Sequence, residues 1–100
     1  MLFRSFLKLG AYHSAELPFV FGLSRGRFAL ETDAERELSR KVMGYWTRFA
    51  TRGDPNGEGA LAWPAYTRDG EQYLEINMTL GLGANLNAER CDVMDSLGLP

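Results

Sequence analysis

His13 is the single histidine in a chain of 100 residues. An imidazole titrates near pH ~6.5, so around neutrality it can take a proton from a nucleophile and later return it to a leaving group. A lone histidine is more often structural than catalytic, so its neighbours must decide its role. Glu16 lies three residues further on, and a carboxylate there is a candidate partner for the ring. Gly22-Leu23-Ser24-Arg25-Gly26 fits the Gly-x-Ser-x-Gly pattern of a nucleophile elbow. A true elbow turns straight from strand into helix, whereas the next helix signal here comes only at Thr32. Ser24 is therefore read as a chance match in a glycine-bounded loop. Cys91 is the only cysteine. It is expected to be a small buried hydrophobe, and one His with one Cys makes no metal-ligand set.

The elements that must hold these residues are few. Leu17-Pro18-Phe19-Val20-Phe21 is a short apolar run closed by Gly22. It is expected to be a buried strand or an extended loop, with Pro18 confined to its start or edge. Thr32 and Glu35 have capping-box spacing. Leu38, Val42, Tyr45, Trp46 and Phe49 follow at intervals of three and four, which is one face of a helix. Acidic residues near its start and Arg48 and Arg52 near its end suit the helix dipole, and Gly53 is placed to stop it. A helix over 33–52 is predicted, its aromatic stripe packed in the core. Asp54-Pro55-Asn56-Gly57 is turn chemistry, and Trp63 and Tyr66 are read as packing residues. Asp69-Gly70 with the alternating run 72–78 suggests a hairpin, after which Gly81 and Gly83 break the chain. Asn87 is placed to cap a last short helix with Cys91, Met94 and Leu97 or Leu99 on its buried side.

The surroundings of His13 carry more than spacing. Residues 10–21, Gly-Ala-Tyr-His-Ser-Ala-Glu-Leu-Pro-Phe-Val-Phe, resemble the catalytic-histidine segment of the type-B carboxylesterase and lipase family, which includes the cholinesterases. Leu38-Ser39, the run 45–50 (Tyr-Trp-Thr-Arg-Phe-Ala), Gly53-Asp54-Pro55-Asn56 and Trp63-Pro64-Ala65-Tyr66 resemble the segments that follow, in order. Tyr73-Leu74-Glu75-Ile76 and 90–95 (Arg-Cys-Asp-Val-Met-Asp) resemble the family's closing strand and last helix, where an aromatic is usual at the Met94 position. Each piece alone is weak, but the ordered set from Gly10 to Asp95 is specific.

The resemblance implies an α/β class: the C-terminal portion of an α/β-hydrolase fold, with catalytic-histidine loop and strand, long helix, hairpin and short C-terminal helix, incomplete as a domain. It implies a serine esterase with an acyl-enzyme mechanism and His13 as its catalytic histidine. The family's triad runs Ser, then Glu or Asp, then His, so the nucleophile and the triad acid are expected outside this chain and Ser24 stands on the wrong side. Glu16 is expected to be a buried carboxylate beside the site. A purely structural role and the triad acid itself are its alternatives. In some secreted members the cysteine matching Cys91 pairs with one upstream, and no such partner occurs here. Some relatives have lost the nucleophile and serve in cell adhesion, so a non-catalytic interaction domain is the competing reading.

Composition sets the outer bounds. Apolar residues make up 45% and charged residues 24%, with net charge -2: an ordinary globular balance. No Lys/Arg cluster suggests nucleic acid, no apolar run approaches the ~20 residues of a membrane span, and no cofactor is implied. A small-molecule carboxylic ester is the expected substrate of the parent protein. Residues 1–9 are treated as a doubtful N-terminal segment. Met1–Leu9 is apolar and weakly basic but lacks a signal-peptide cleavage site. Leu2-Phe3-Arg4-Ser5 is also what a sequencing adapter encodes in one frame, which makes Met1–Ser5 a candidate cloning or assembly scar. Residues 10–100 are expected to be the C-terminal part of a carboxylesterase type-B domain.

Overall fold

The structure, a computed structural model, describes residues 11–99. The doubtful segment Met1–Leu9 lies outside the described residues. The chain divides into two compact units, Met1–Ala62 and Trp63–Pro100.

The described part of the first unit is built on two helices, α1 (Leu17–Phe21) and α2 (Asp33–Arg52). The run expected to be a strand or extended loop is therefore helical. Five apolar residues between breakers carry no period that separates strand from helix. Pro18, read as a strand-edge residue, sits in the first helical turn, where a missing N–H costs nothing. Gly22, at φ 60°, ends α1 in the left-handed conformation.

The long helix forms over the residues its caps predict. Thr32 Oγ1 accepts from the Glu35 N–H at 3.1 Å, and Glu35 Oε2 accepts from the Thr32 and Glu31 N–H groups at 3.3 and 2.7 Å. Gly53, at φ 74°, donates its N–H to the Phe49 carbonyl at 2.8 Å and closes the other end. Leu38, Ser39, Val42 and Tyr45 are buried, with Phe19 and Leu30. The stripe is not covered along its whole length: Trp46 is 41% and Phe49 60% exposed. The partner helix explains this. At ~1.5 Å per residue, α1 is about 7.5 Å long against about 30 Å for α2, so it shields only part of the face.

Beyond Gly53 the chain is tied back to α2 by arginines. Arg48 Nε donates to the Pro55 carbonyl at 2.6 Å and Arg52 to the Asn56 carbonyl. The Arg48 guanidinium stands 5.1 Å from the Tyr45 ring centroid. A Cβ at Gly57 would meet Arg48 Cδ at 2.7 Å and one at Gly44 would meet Nη1 at 2.9 Å, so both glycines make room for this side chain. Tyr45 O–H donates to the Leu61 carbonyl, which satisfies the polar end of a buried aromatic.

The second unit holds an antiparallel hairpin of β1 (Gln72–Glu75) and β2 (Gly81–Ala84), followed by α3 (Ala88–Ser96). The hairpin's connection lies over 76–80, after the first strand, and not at Asp69-Gly70. Gly81 and Gly83, read as breaks, belong to β2. The pairing of Tyr73 with Gly83 explains the glycine, since a Cβ there would run into the Tyr73 ring at Cζ. The aromatic ring lies across its cross-strand glycine. Leu74 is the buried residue of the ladder, and Tyr66, expected in packing, is 71% exposed.

Asn87 does precede α3, but at φ 56° and with no side-chain cap. None of the α3 residues is buried, and Cys91, expected inside, is exposed. The apolar face is present in the sequence, yet no described residue covers it.

Candidate functional site

His13 sits on a turn. The Ala15 N–H donates to the Tyr12 carbonyl at 3.0 Å, and Ser14, the third residue of that turn, has φ 71°. A positive φ at this position and not at His13 is the pattern of a type II turn. Glycine or asparagine usually takes that place, so a serine there holds local strain. His13 itself is exposed.

The turn runs straight into α1 through backbone bonds. Leu17 N–H donates to the Ser14 carbonyl at 3.3 Å, and the Phe19 and Val20 N–H groups donate to the Glu16 carbonyl at 2.9 and 3.0 Å. Pro18 has no N–H to add, so the helix does not continue backwards as a regular ladder through the histidine turn. Local sequence thus makes a turn, a proline stop and a short helix in ten residues.

Glu16 precedes α1 as its N-cap residue. Its side chain is exposed, where a buried carboxylate was expected. Its backbone carbonyl anchors the first turn of α1, and no described residue folds over its side chain. Ser24 lies in the loop after α1, which a bond from the Leu30 N–H to the Leu23 carbonyl closes at 2.8 Å. Gly22 before it caps a helix, and no helix starts until Asp33. The strand–turn–helix geometry of a nucleophile elbow is absent around Ser24. Among the described residues no cluster of three His, Cys, Asp or Glu could hold a metal ion.

One residue of this region went unrecognised in the sequence. Ser39, 1% exposed, donates from Oγ to the Phe19 carbonyl at 2.7 Å. Leu23 N–H, the regular helical partner of that carbonyl, turns to Pro18 instead at 3.0 Å, because Gly22 is left-handed. Ser39 therefore binds the end of α1 to the middle of α2. The available signal was a small hydroxyl residue within the apolar stripe, between Leu38 and Val42.

The chain belongs to the carboxylesterase family, whose model matches residues 4–94. Among individual proteins it is similar to carboxylesterase 5A of Felis catus, at 44% identity over 87 residues, covering 82% of this chain and 16% of that protein. It is likewise similar to cocaine esterase of Homo sapiens, at 46% identity over 81 residues, covering 80% of this chain and 14% of that protein. Among solved structures, a PNB esterase superposes with TM-score 0.72 at 32% identity, over 82% of this chain and 17% of that one. The chain thus spans less than a fifth of the length of these proteins. Its helices and hairpin are a partial piece of the α/β-hydrolase fold.

Proposed function

We propose that this chain is the histidine-bearing part of a serine carboxylic ester hydrolase, with His13 as its general base and acid. The observation that carries the reading is the ordered family match on both sides of His13, joined to the exposure of that residue on a hydrogen-bonded turn. A serine hydroxyl is a weak nucleophile. His13 takes its proton as the oxygen attacks the ester carbonyl, then gives it to the departing alkoxide, which leaves an acyl-enzyme. In the second half His13 takes a proton from water as the water oxygen attacks the acyl carbonyl, then gives that proton to the departing serine oxygen, and the carboxylic acid is released. The serine and the triad acid come from residues outside this chain. Glu16 is a carboxylate that becomes buried beside the site once the rest of the fold covers the turn. The substrate is a small-molecule carboxylic ester.

The test is hydrolysis of p-nitrophenyl acetate by the full-length product of the gene encoding this chain. His13→Ala is expected to lower kcat by roughly 10⁴-fold or more with KM little changed. Retention of kcat within tenfold would refute the role of His13. The 100-residue chain alone is expected to be inactive, with Ser24→Ala indistinguishable from it. Turnover by the chain that Ser24→Ala abolishes would instead identify an autonomous small esterase. Full-length protein with no Gly-x-Ser-x-Gly before this chain and no turnover would leave a non-catalytic interaction domain.

A further inference from the structure

We propose that Ser39 is a positioning residue for His13, acting through the Phe19 carbonyl; the inference rests on His13 being the catalytic base. The path between them is short and continuous. Ser39 Oγ holds the Phe19 carbonyl at 2.7 Å in a buried contact. The N–H of the same peptide unit, that of Val20, donates to the Glu16 carbonyl at 3.0 Å, Leu17 N–H donates to the Ser14 carbonyl at 3.3 Å, and Ala15 N–H donates to the Tyr12 carbonyl at 3.0 Å. His13 lies inside the last of these bonds.

The turn thus takes its place from α1, and α1 takes its place from α2. Two other features bear on the same joint. A Cβ at Gly22 would meet Met43 Sδ at 3.2 Å and Ser39 Oγ at 3.8 Å, so the C-terminal end of α1 lies directly against α2. Phe19, whose carbonyl is held, is itself 4% exposed. Apolar packing presses α1 onto α2 but tolerates sliding by fractions of an ångström, because it is not directional. One directed hydrogen bond in a buried site sets the register along the helix.

A base needs hydrogen-bond geometry to the proton it removes, and a displacement of ~1 Å costs up to about 100-fold in rate. Ser39 is therefore expected to act on kcat and not on substrate binding.

The experiment is a double-mutant cycle in the full-length protein with p-nitrophenyl acetate. Ser39→Ala is expected to lower kcat roughly 10- to 100-fold with KM within twofold. Ser39→Thr, which keeps the hydroxyl, is expected to recover most of the loss. In a His13→Ala background, Ser39→Ala is expected to have no further effect on the residual rate, because the group it positions is gone. Equal losses from Ser39→Ala in both backgrounds would show a general structural role and overturn the proposal, as would an unchanged kcat in the single variant. If Ser39→Ala does not accumulate folded, Ser39→Cys, of similar size with a weaker donor, replaces it, and a wild-type kcat there also overturns the proposal. A His13→Ala protein with full activity would refute the reading of His13 itself, a result distinct from failure of the cycle.

Discussion

At the scale of single residues, the polar groups of the first unit are specific where they are buried. Glu35 is 4% exposed. Burial pushes its carboxyl up, the Glu31 and Thr32 N–H donors pull it down, and the net direction is downward. A carboxyl lowered in the folded state stabilises above the ordinary glutamate range, and that contribution fades as pH falls through its lowered value. Glu35→Gln in the full-length protein is therefore expected to lower the thermal midpoint at pH 7 and to lose its penalty below the ordinary glutamate range. A pH series of melting curves checks the convergence. Tyr45→Phe removes the donor to the Leu61 carbonyl and is expected to cost about 1–2 kcal/mol, read from denaturant unfolding. His13 and Ser39 show two kinds of legibility. The role proposed for His13 is read from its neighbours in sequence, which carry the family pattern. The contact made by Ser39 was not legible, because its partner lies twenty residues away and a hydroxyl within an apolar stripe does not say what it bonds.

At the scale of elements, local signals succeeded where they were redundant. The α2 ends carry a capping box, a dipole-matched charge pattern and a C-terminal glycine, and the helix forms where these say. The α1 run had no such redundancy. A five-residue apolar stretch beginning with Leu-Pro suits the first turn of a helix and the start of a strand alike, and contact with α2 settled it. In the hairpin, Asp69-Gly70 offered turn chemistry, but the register follows the fit of Tyr73 over Gly83. Gly83→Val is expected to disrupt β2 because no branched side chain fits in the space the Tyr73 ring fills. Hydrogen exchange at 72–75 should quicken in that variant and slow again when Tyr73→Ala is added. If the second substitution gives no recovery, the ring is not the cause.

At the scale of the whole chain, the apolar side chains outrun the surfaces available to cover them. Pro18, Phe19, Leu30, Leu38, Val42, Tyr45 and Leu74 are the buried ones among the described residues, while Phe21, Phe49, Leu86, Val93 and Leu97 are each more than half exposed. Buried apolar area is the main favourable term in folding, and the cost of ordering the chain is of similar size. The isolated 100 residues are expected to give no cooperative monomeric unfolding transition and to bind a hydrophobic dye such as ANS. A single sharp, concentration-independent melt would contradict this. The same shortfall explains why the sequence misjudged Trp46, Phe49, Tyr66 and Cys91. Periodicity shows which face is apolar, but only the partner surface decides whether that face is buried.

The loop between α1 and α2 is fastened at its root by the Leu30 N–H and the Leu23 carbonyl, 2.8 Å apart. Ser24, Arg25, Gly26 and Arg27, within the loop that this bond closes, are all exposed. Lengthening a closed loop adds only ~0.6 kcal/mol per doubling. This makes the stretch a splice point for engineering: an epitope or affinity tag inserted after Arg25 should be displayed at the surface of the full-length protein while its melting temperature, and the turnover proposed for it, stay near their parental values.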